Sequence, residues 1–182
     1  CGIHINAGAE IGVASTKAYT SQIVAITMMA MVLAEDQISK RTRVDEIVTA
    51  LLDLPESARQ CLLLDETVKE LAEGLKDENS LLVFGRGRNY ATAVEAALKV
   101  KEVSYMHSEG INAGEMKHGP LALVDEFMPI IVIATMEDTD MHNKMQGVIQ
   151  QLMARSARLI IVANDDDDEI SDIVKGKYPI VR

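Results

Sequence analysis

The sequence predicts an α/β fold, a three-layer αβα sandwich around a parallel, doubly wound sheet of the flavodoxin-like kind. In the second half of the chain, short runs rich in Ile, Val and Leu alternate with helical segments. Such alternation is typical of βαβ units with right-handed crossovers. Aromatic residues make up only 3% of the 182 residues and Trp is absent. The core must therefore be aliphatic, which suits helices packed on a parallel sheet.

The first half of the chain is predicted to be mainly helical. Residues 1–9 are expected to form a strand or a loop. Ser15 and Thr16 precede an apolar run and are good N-cap residues, so a helix is predicted from about 16 to 33. The more polar stretch that follows predicts three helices, at about 42–53, 56–63 and 65–75, with Pro55 at the first turn of the second.

The second half of the chain predicts four strands separated by helices. Pro179 is compatible with the last strand because an edge strand tolerates a residue without an N–H. The strands are expected at about 81–84, 128–134, 159–162 and 178–181, with helices across 95–103, 140–154 and 168–174. Ligands of such sheets bind at the carboxyl ends of the strands, where Gly85-Arg86-Gly87 and the loop after Ala134 would lie.

Composition excludes several classes of protein. The net charge of −10 argues against a nucleic-acid partner, because such interfaces need clustered Lys and Arg. The longest apolar helical candidate, residues 23–34, is too short for a membrane span. The four His residues lack metal-ligand spacing, so neither a metal nor another cofactor is expected.

The two cysteines, Cys1 and Cys61, have no paired spacing, and no secretory signal is evident. Both observations favour a reducing compartment, and we expect a cytoplasmic protein. The chain does not begin with Met, which suggests an excised fragment. Cys1-Gly2 resembles the start of N-terminal-nucleophile amidotransferases, but nothing downstream resembles a glutaminase, so Cys1 is rejected as a nucleophile.

Glu95, Lys99 and Glu102 carry the most informative pattern. On a helix they fall within an arc of roughly 60°, so two carboxylates flank one ammonium, and His118 follows in a Gly-bounded loop. Acid, base and cation together are what proton transfer beside a carbonyl requires. The same spacing also occurs in ordinary surface ion pairs, worth only ~0.2–0.5 kcal/mol. The apolar remainder of this helix favours partial burial, and hence function.

Two loops are candidate ligand sites. Gly85-Arg86-Gly87, between a strand and a helix, has the form of an anion-binding turn, although many βα turns share it. Residues 10–17 contain Gly12 and open into a helix headed by two hydroxyls and Lys17. That arrangement could hold a polyol, or it could be a plain N-cap.

Several long segments resemble the sugar isomerase (SIS) half of the glutamine–fructose-6-phosphate aminotransferase family, and the eukaryotic branch in particular. The resemblance covers nearly the whole chain. It is carried by Asn6-Ala7-Gly8, residues 10–22, Gly85-Arg86-Gly87, residues 95–102, 105–109 and 113–125.

This resemblance implies a reaction and roles for particular residues. The family converts fructose 6-phosphate and glutamine-derived ammonia to glucosamine 6-phosphate. Glu102 matches the residue that moves a proton between C1 and C2, Lys99 matches one that assists hydroxyl proton transfers, and His118 matches one that opens the sugar ring from across a dimer interface. Val13 and Ser15 match sugar-contacting positions. From the helix geometry, Glu95 is expected to orient Lys99 at the substrate site.

The resemblance also implies the organisation of the chain. Residues 1–35 would finish a first SIS domain, 36–65 would connect, and 66–182 would form most of a second. The family's phosphate loop, C-terminal tail and N-terminal glutaminase domain have no counterpart here, so the chain alone is expected to be inactive.

The expected partners are fructose 6-phosphate, glucosamine 6-phosphate and further copies in a homodimer or larger oligomer. Gly2, Ile3 and His4 resemble part of the site at which UDP-GlcNAc inhibits eukaryotic members. The alternative to an enzyme is a non-catalytic SIS module that binds a sugar phosphate and regulates another protein.

Overall fold

The computed structural model describes residues 2–136 and 138–182, and Cys1 therefore lies outside the described residues. The chain divides into two compact units, with the boundary between Glu66 and Thr67. Each unit is described separately below.

The first unit consists of a loop followed by helices. Residues 2–15 contain no regular element, so the extended opening is a loop. Helix α1 spans Ala18–Leu33, a short 3-10 helix covers Ile38–Lys40, and α2 spans Arg41–Leu62. The prediction of two helices at 42–53 and 56–63 is wrong, because α2 continues through Pro55.

The second unit contains a five-stranded sheet in the order β2-β1-β3-β4-β5, and all four pairings are parallel. This is the flavodoxin-like order, so the predicted fold class is confirmed. The strands are β1 (Ser80–Gly85), β2 (His107–Asn112), β3 (Pro129–Ala134), β4 (Arg158–Ala163) and β5 (Ile180–Val181).

The helices lie between these strands in the chain. α3 spans Asp65–Glu73, with all but its first two residues in this unit, α4 spans Arg88–Ser104, α5 spans Thr139–Met153 and α6 spans Asp168–Val174. Two 3-10 segments, Ala113–His118 and Pro120–Leu123, connect β2 to β3. Strand β2 was not predicted. It forms an edge of the sheet, and β5, next to Pro179, forms the other edge as expected.

Alternate residues of the strands point to opposite faces of the sheet and build two apolar clusters. On one face, Leu82 and Phe84 of β1 pack with α5, α6 and the 3-10 segments. On the other face, Leu81 and Val83 pack with Ala93 and Ala97 of α4. An open apolar groove of about 560 Å³ runs along this second face between α3 and α4.

Helix α4 packs unusually close to β2. A Cβ atom on Gly110 would lie 2.5 Å from Val94 Cα, so only glycine permits this approach. Two residues earlier, the Ser108 hydroxyl is buried and donates a hydrogen bond of 2.6 Å to the carbonyl of Ala97. The position of α4 on the sheet is thus fixed by direct contacts with the backbone.

Candidate functional site

Glu95, Lys99 and Glu102 lie side by side on α4, as the spacing predicts. Lys99 Nζ is 2.7 Å from Glu102 Oε2 and 3.4 Å from Glu95 Oε1. About a quarter of each side chain is exposed, with fractions of 24–26%. We call these three residues the α4 triplet. Their partial burial separates them from ordinary surface pairs such as Arg43–Glu46, in which more than half of each side chain is exposed.

The hydrogen bond to Glu102 raises the pKa of Lys99 above its ordinary value, and partial desolvation only partly offsets this effect. The negative charges of Glu102 and Glu95 also raise the pKa of Lys99. Lys99 is therefore an ammonium at neutral pH that holds one carboxylate tightly and the other more loosely.

The α4 triplet lies on a different side of the helix from the residues that pack against the sheet. Ala93 and Ala97 are the fully buried residues of α4, and the triplet lies roughly 140–200° around the helix axis from Ala97. Its side chains therefore lie outside the core of the second unit, Lys99 also lines the open groove beside α3, and the exposed quarter of each side chain can be reached by a ligand.

His118 ends the 3-10 segment Ala113–His118, and its side chain is exposed. Ala113 and Met116 anchor that segment in the cluster on the α5 and α6 side of the sheet, whereas α4 packs on the other side. Within one unit the structure therefore places His118 and the α4 triplet on segments that pack on opposite faces of the sheet. No ion pair or hydrogen bond joins them among the described residues.

The loop of residues 10–17 in the first unit is organised by Glu10, a residue to which the sequence reasoning gave no role. Glu10 Oε1 accepts hydrogen bonds from the backbone N–H groups of Thr16, Lys17 and Ala18, at 3.2, 2.9 and 2.9 Å. These bonds lower the pKa of Glu10 from 4.5 to about 2, with the Ala18 and Lys17 amides contributing most. Although Ser15 and Thr16 are the predicted caps, the N-cap position of α1 is Lys17, which makes no side-chain cap bond, and Glu10 bonds the N–H groups instead.

Ser15 and Val13 lie in the same loop. The Ser15 hydroxyl donates to Glu10 Oε1 and accepts from the backbone N–H of Tyr19, each at 3.3 Å. The Val13 side chain is 89% exposed, and its backbone makes no hydrogen bond to any residue within 2–136 or 138–182. Both residues are therefore available to a ligand on the outer side of the loop.

Gly2, Ile3 and His4 are exposed at the start of the first unit. His4 Nδ1 accepts a hydrogen bond of 3.3 Å from the backbone N–H of Asn6, which has a positive φ of 51°. These contacts define a tight local turn and leave Gly2, Ile3 and His4 exposed to solvent. Their regulatory role stays a prediction.

Gly85-Arg86-Gly87 joins β1 to α4 at the carboxyl end of the sheet. Gly87 is the N-cap of α4 with a φ of 57°, a conformation that favours glycine. Across the carboxyl ends of β1 and β3, Asn89 Nδ2 donates a hydrogen bond of 2.7 Å to the Thr135 hydroxyl. This turn and the α4 triplet are separated along the length of α4, so they do not form one site.

In the part of the chain that the structure describes, no three His, Cys, Asp or Glu residues are grouped so as to hold a metal ion. The same part contains no helix that is both long and apolar enough to cross a membrane.

Comparison with protein families gives a match between residues 74–173 and the SIS domain, which covers more than half of the chain. The chain belongs to the SIS-domain family. This agrees with the flavodoxin-like strand order of the second unit.

Characterised relatives of this SIS protein are aminotransferases. It is 62% identical over 167 residues to glutamine–fructose-6-phosphate aminotransferase [isomerizing] 1 of Arabidopsis thaliana, a match that covers 92% of this chain and 24% of the relative. It is 54% identical over 171 residues to glutamine–fructose-6-phosphate aminotransferase [isomerizing] 2 of Mus musculus and 52% identical over 169 residues to glutamine–fructose-6-phosphate aminotransferase [isomerizing] of Saccharomyces cerevisiae. The matches cover 94% and 92% of this chain and 25% and 23% of those relatives.

The chain thus spans about a quarter of the length of these relatives. Among solved structures, the C-terminal domain of glucosamine-fructose-6-phosphate aminotransferase from Francisella tularensis matches with a TM-score of 0.89 and 34% identity, over 97% of this chain and 48% of that one. Tagatose-6-phosphate ketose/aldose isomerase from Escherichia coli matches with a TM-score of 0.62 and 20% identity, over 93% and 42% of the two chains. The latter likeness is one of fold alone.

Proposed function

We propose that this SIS protein is part of the isomerase half of a glutamine–fructose-6-phosphate aminotransferase, which makes glucosamine 6-phosphate from fructose 6-phosphate and glutamine-derived ammonia. The observation that carries the proposal is the partly buried hydrogen bond of 2.7 Å between Lys99 and Glu102, within a chain 62% identical to such an enzyme over 167 residues. A sugar-phosphate sensor has no need of a base held in this way.

In the proposed reaction Glu102 is the base. One carboxylate oxygen, Oε2, is held by Lys99, and Oε1 has no hydrogen-bond partner among the described residues. Oε1 takes the proton from C1 of the fructose imine, and the same group returns it to C2, which gives the aldose. Lys99 orients Glu102 and assists the hydroxyl proton transfers, while Glu95 holds Lys99 from its other side.

The substrate is proposed to lie between the α4 triplet and other parts of the complete protein. Val13 and Ser15 contact the sugar, and His118 opens the sugar ring from a neighbouring copy. The latter role agrees with the separation of His118 from the triplet within one unit. The phosphate-binding loop and the glutaminase domain belong to the remainder of the protein, so the 182-residue chain alone is inactive.

The same proposal covers organisation and regulation. Residues 1–35 complete a first SIS domain, 36–65 connect, and 66–182 form most of a second. The protein works in the cytoplasm as a homodimer or larger assembly, and Gly2, Ile3 and His4 contribute to a UDP-GlcNAc inhibitory site.

The decisive experiment is Glu102→Gln in the complete protein. We expect formation of glucosamine 6-phosphate to fall by about 10²–10⁴-fold, the usual contribution of a general base, while fructose 6-phosphate still binds. The measurements are kcat and the equilibrium affinity for the sugar phosphate.

Glu46→Gln is the matched control, because it removes a carboxylate with the same i,i+3 spacing to a cation, Arg43, on an exposed helix face. It should leave both quantities unchanged. Full turnover by the Glu102 variant would exclude Glu102 as the base, whereas a complete wild-type protein that forms no glucosamine 6-phosphate would overturn the enzyme proposal.

A further inference from the structure

The carboxylate of Glu10 occupies the place at the start of α1 where an external anion would otherwise bind. The first turn of a helix presents free N–H groups that attract phosphates and carboxylates. Here the three consecutive N–H groups that lead into α1 all donate to Glu10 Oε1: those of Thr16, of the N-cap residue Lys17 and of the first helical residue, Ala18. The second oxygen, Oε2, accepts from the Thr16 hydroxyl at 3.2 Å.

These bonds close residues 10–18 into a ring. On the other side of the ring, Lys17 Nζ donates to the carbonyl of Ala9, which ties the start of the loop to its end. Two apolar residues of the ring are turned outward, since Ile11 and Val13 are 99% and 89% exposed. The outward position of Val13 is therefore a consequence of the contacts made by Glu10.

We infer that Glu10 is a positioning residue that holds the Val13 and Ser15 loop for the neutral hydroxyl end of the sugar and keeps the phosphate end away from α1. This inference rests on the proposed function, because it takes Val13 and Ser15 as sugar contacts.

The inference has an electrostatic basis. The N–H groups of Thr16, Lys17 and Ala18 are already engaged by Glu10 and that of Tyr19 by Ser15, and a second anion beside the Glu10 carboxylate would be repelled. Val13 and Ser15 remain able to contact a ligand, and they suit uncharged hydroxyl groups. One residue thus fixes both the shape of the loop and the kind of chemical group that it accepts.

The test is chemical rescue in the complete protein. Glu10→Ala leaves the three N–H groups without their carboxylate, and we expect kcat/KM for fructose 6-phosphate to fall by about 10- to 100-fold, as for other small misplacements of substrate-contacting groups. Added acetate should refill the vacated position and restore a large part of the activity. Chloride at the same ionic strength should not.

Two further variants make the result specific. Glu10→Gln has nearly the same shape but no charge, so acetate should not stimulate it, and inorganic phosphate should inhibit it more strongly than the wild type. Because this variant is nearly isosteric, it also serves if Glu10→Ala fails to fold. Glu46→Gln, which removes an exposed carboxylate elsewhere in the first unit, should respond like the wild type to both anions.

The inference is overturned if both Glu10 variants keep full kcat/KM, or if acetate fails to restore a folded Glu10→Ala variant, or if phosphate inhibits Glu10→Gln no more than the wild type. Each of these results is distinguishable from failure of the proposed function, which would instead appear as a complete wild-type protein that forms no glucosamine 6-phosphate.

Discussion

At the scale of single residues, Lys99 is the charge around which the α4 triplet is arranged. Its hydrogen bond to Glu102 raises the pKa of the ammonium, so folding and protonation of Lys99 favour each other. The contribution of Lys99 to the stability of the folded state is fully present below pH 10.5, its ordinary pKa, and is lost as the pH rises through the raised pKa. At physiological pH the ammonium is therefore held in its charged form.

Removing each carboxylate in turn should show which one controls Lys99. We expect Glu102→Gln to lower the pKa of Lys99 toward 10.5, and Glu95→Gln to lower it less, because its oxygen lies 3.4 Å away rather than 2.7 Å. NMR titration of the Lys99 side chain measures both shifts. Equal shifts in the two variants would contradict the assignment of Glu102 as the principal partner.

The contribution of Glu10 to stability should depend on pH in the opposite sense to that of Lys99, because it is lost at low pH. The pKa of Glu10 is lowered from 4.5 to about 2, so its contribution to the stability of the loop is present above pH 4.5 and is lost as the pH falls toward 2. We expect the amide NMR signals of Thr16, Lys17 and Ala18 to stay unchanged down to about pH 3 and to move together below it. Movement centred near pH 4.5 would show that the carboxylate is not held as described.

At the scale of secondary-structure elements, the contact between α4 and β2 determines where the triplet lies. Gly110 leaves room for the α4 backbone, and Ser108 bonds to the Ala97 carbonyl. Both residues come from the same face of one edge strand, so they hold the helix at two points along its length.

Gly110→Ala should destabilise the protein by about 1–3 kcal/mol, because the added Cβ atom overpacks a rigid backbone contact. Ser108→Ala should cost about 1–2 kcal/mol through loss of a buried hydrogen bond. Gly147→Ala is the matched control, since its Cβ would meet only Gln151 Nε2 at 3.9 Å, and it should stabilise α5 by about 0.5–1 kcal/mol. Denaturant unfolding measures all three, and an undestabilised Gly110→Ala variant would refute the close approach.

The same contact explains why the sequence did not predict β2. Residues 107–112 include one strong β-former, Ile111, and the Gly and Ser that α4 requires are poor strand residues. Four strands with ordinary apolar runs were predicted close to their observed positions. Pro55 led to the opposite error, because it predicts a break where α2 is one continuous helix. The apolar periodicity continues past Pro55, and α2 tolerates the loss of one helical hydrogen bond.

At the scale of the whole molecule, sequence alone predicted the family and the α4 triplet, because both depend on long local motifs. It did not predict what the triplet faces, since that depends on how Ala93 and Ala97 orient α4 on the sheet. Glu10 was missed for a related reason: its partners are three backbone N–H groups and the hydroxyls of Ser15 and Thr16, and the loop shape that brings them to one carboxylate leaves little trace in the sequence.

The opposite faces occupied by the triplet and by His118 predict complementation between subunits. In the complete protein, Glu102→Gln and His118→Ala should each be nearly inactive, whereas mixed assemblies should regain about a quarter of wild-type activity, because half of the molecules are heterodimers with one intact site in two. Activity of co-expressed, purified mixtures measures this. A mixture no more active than its components would show that both residues act within one chain.

The two hydrogen bonds of Ser15 limit how its hydroxyl can bind a sugar. Its proton is given to Glu10 and one lone pair is used by the Tyr19 N–H, so a single lone pair is left. A sugar hydroxyl that meets Ser15 must then supply the hydrogen atom itself. A fluorinated sugar, which keeps the electronegative atom but not the hydrogen, should bind there as weakly as the corresponding deoxy sugar.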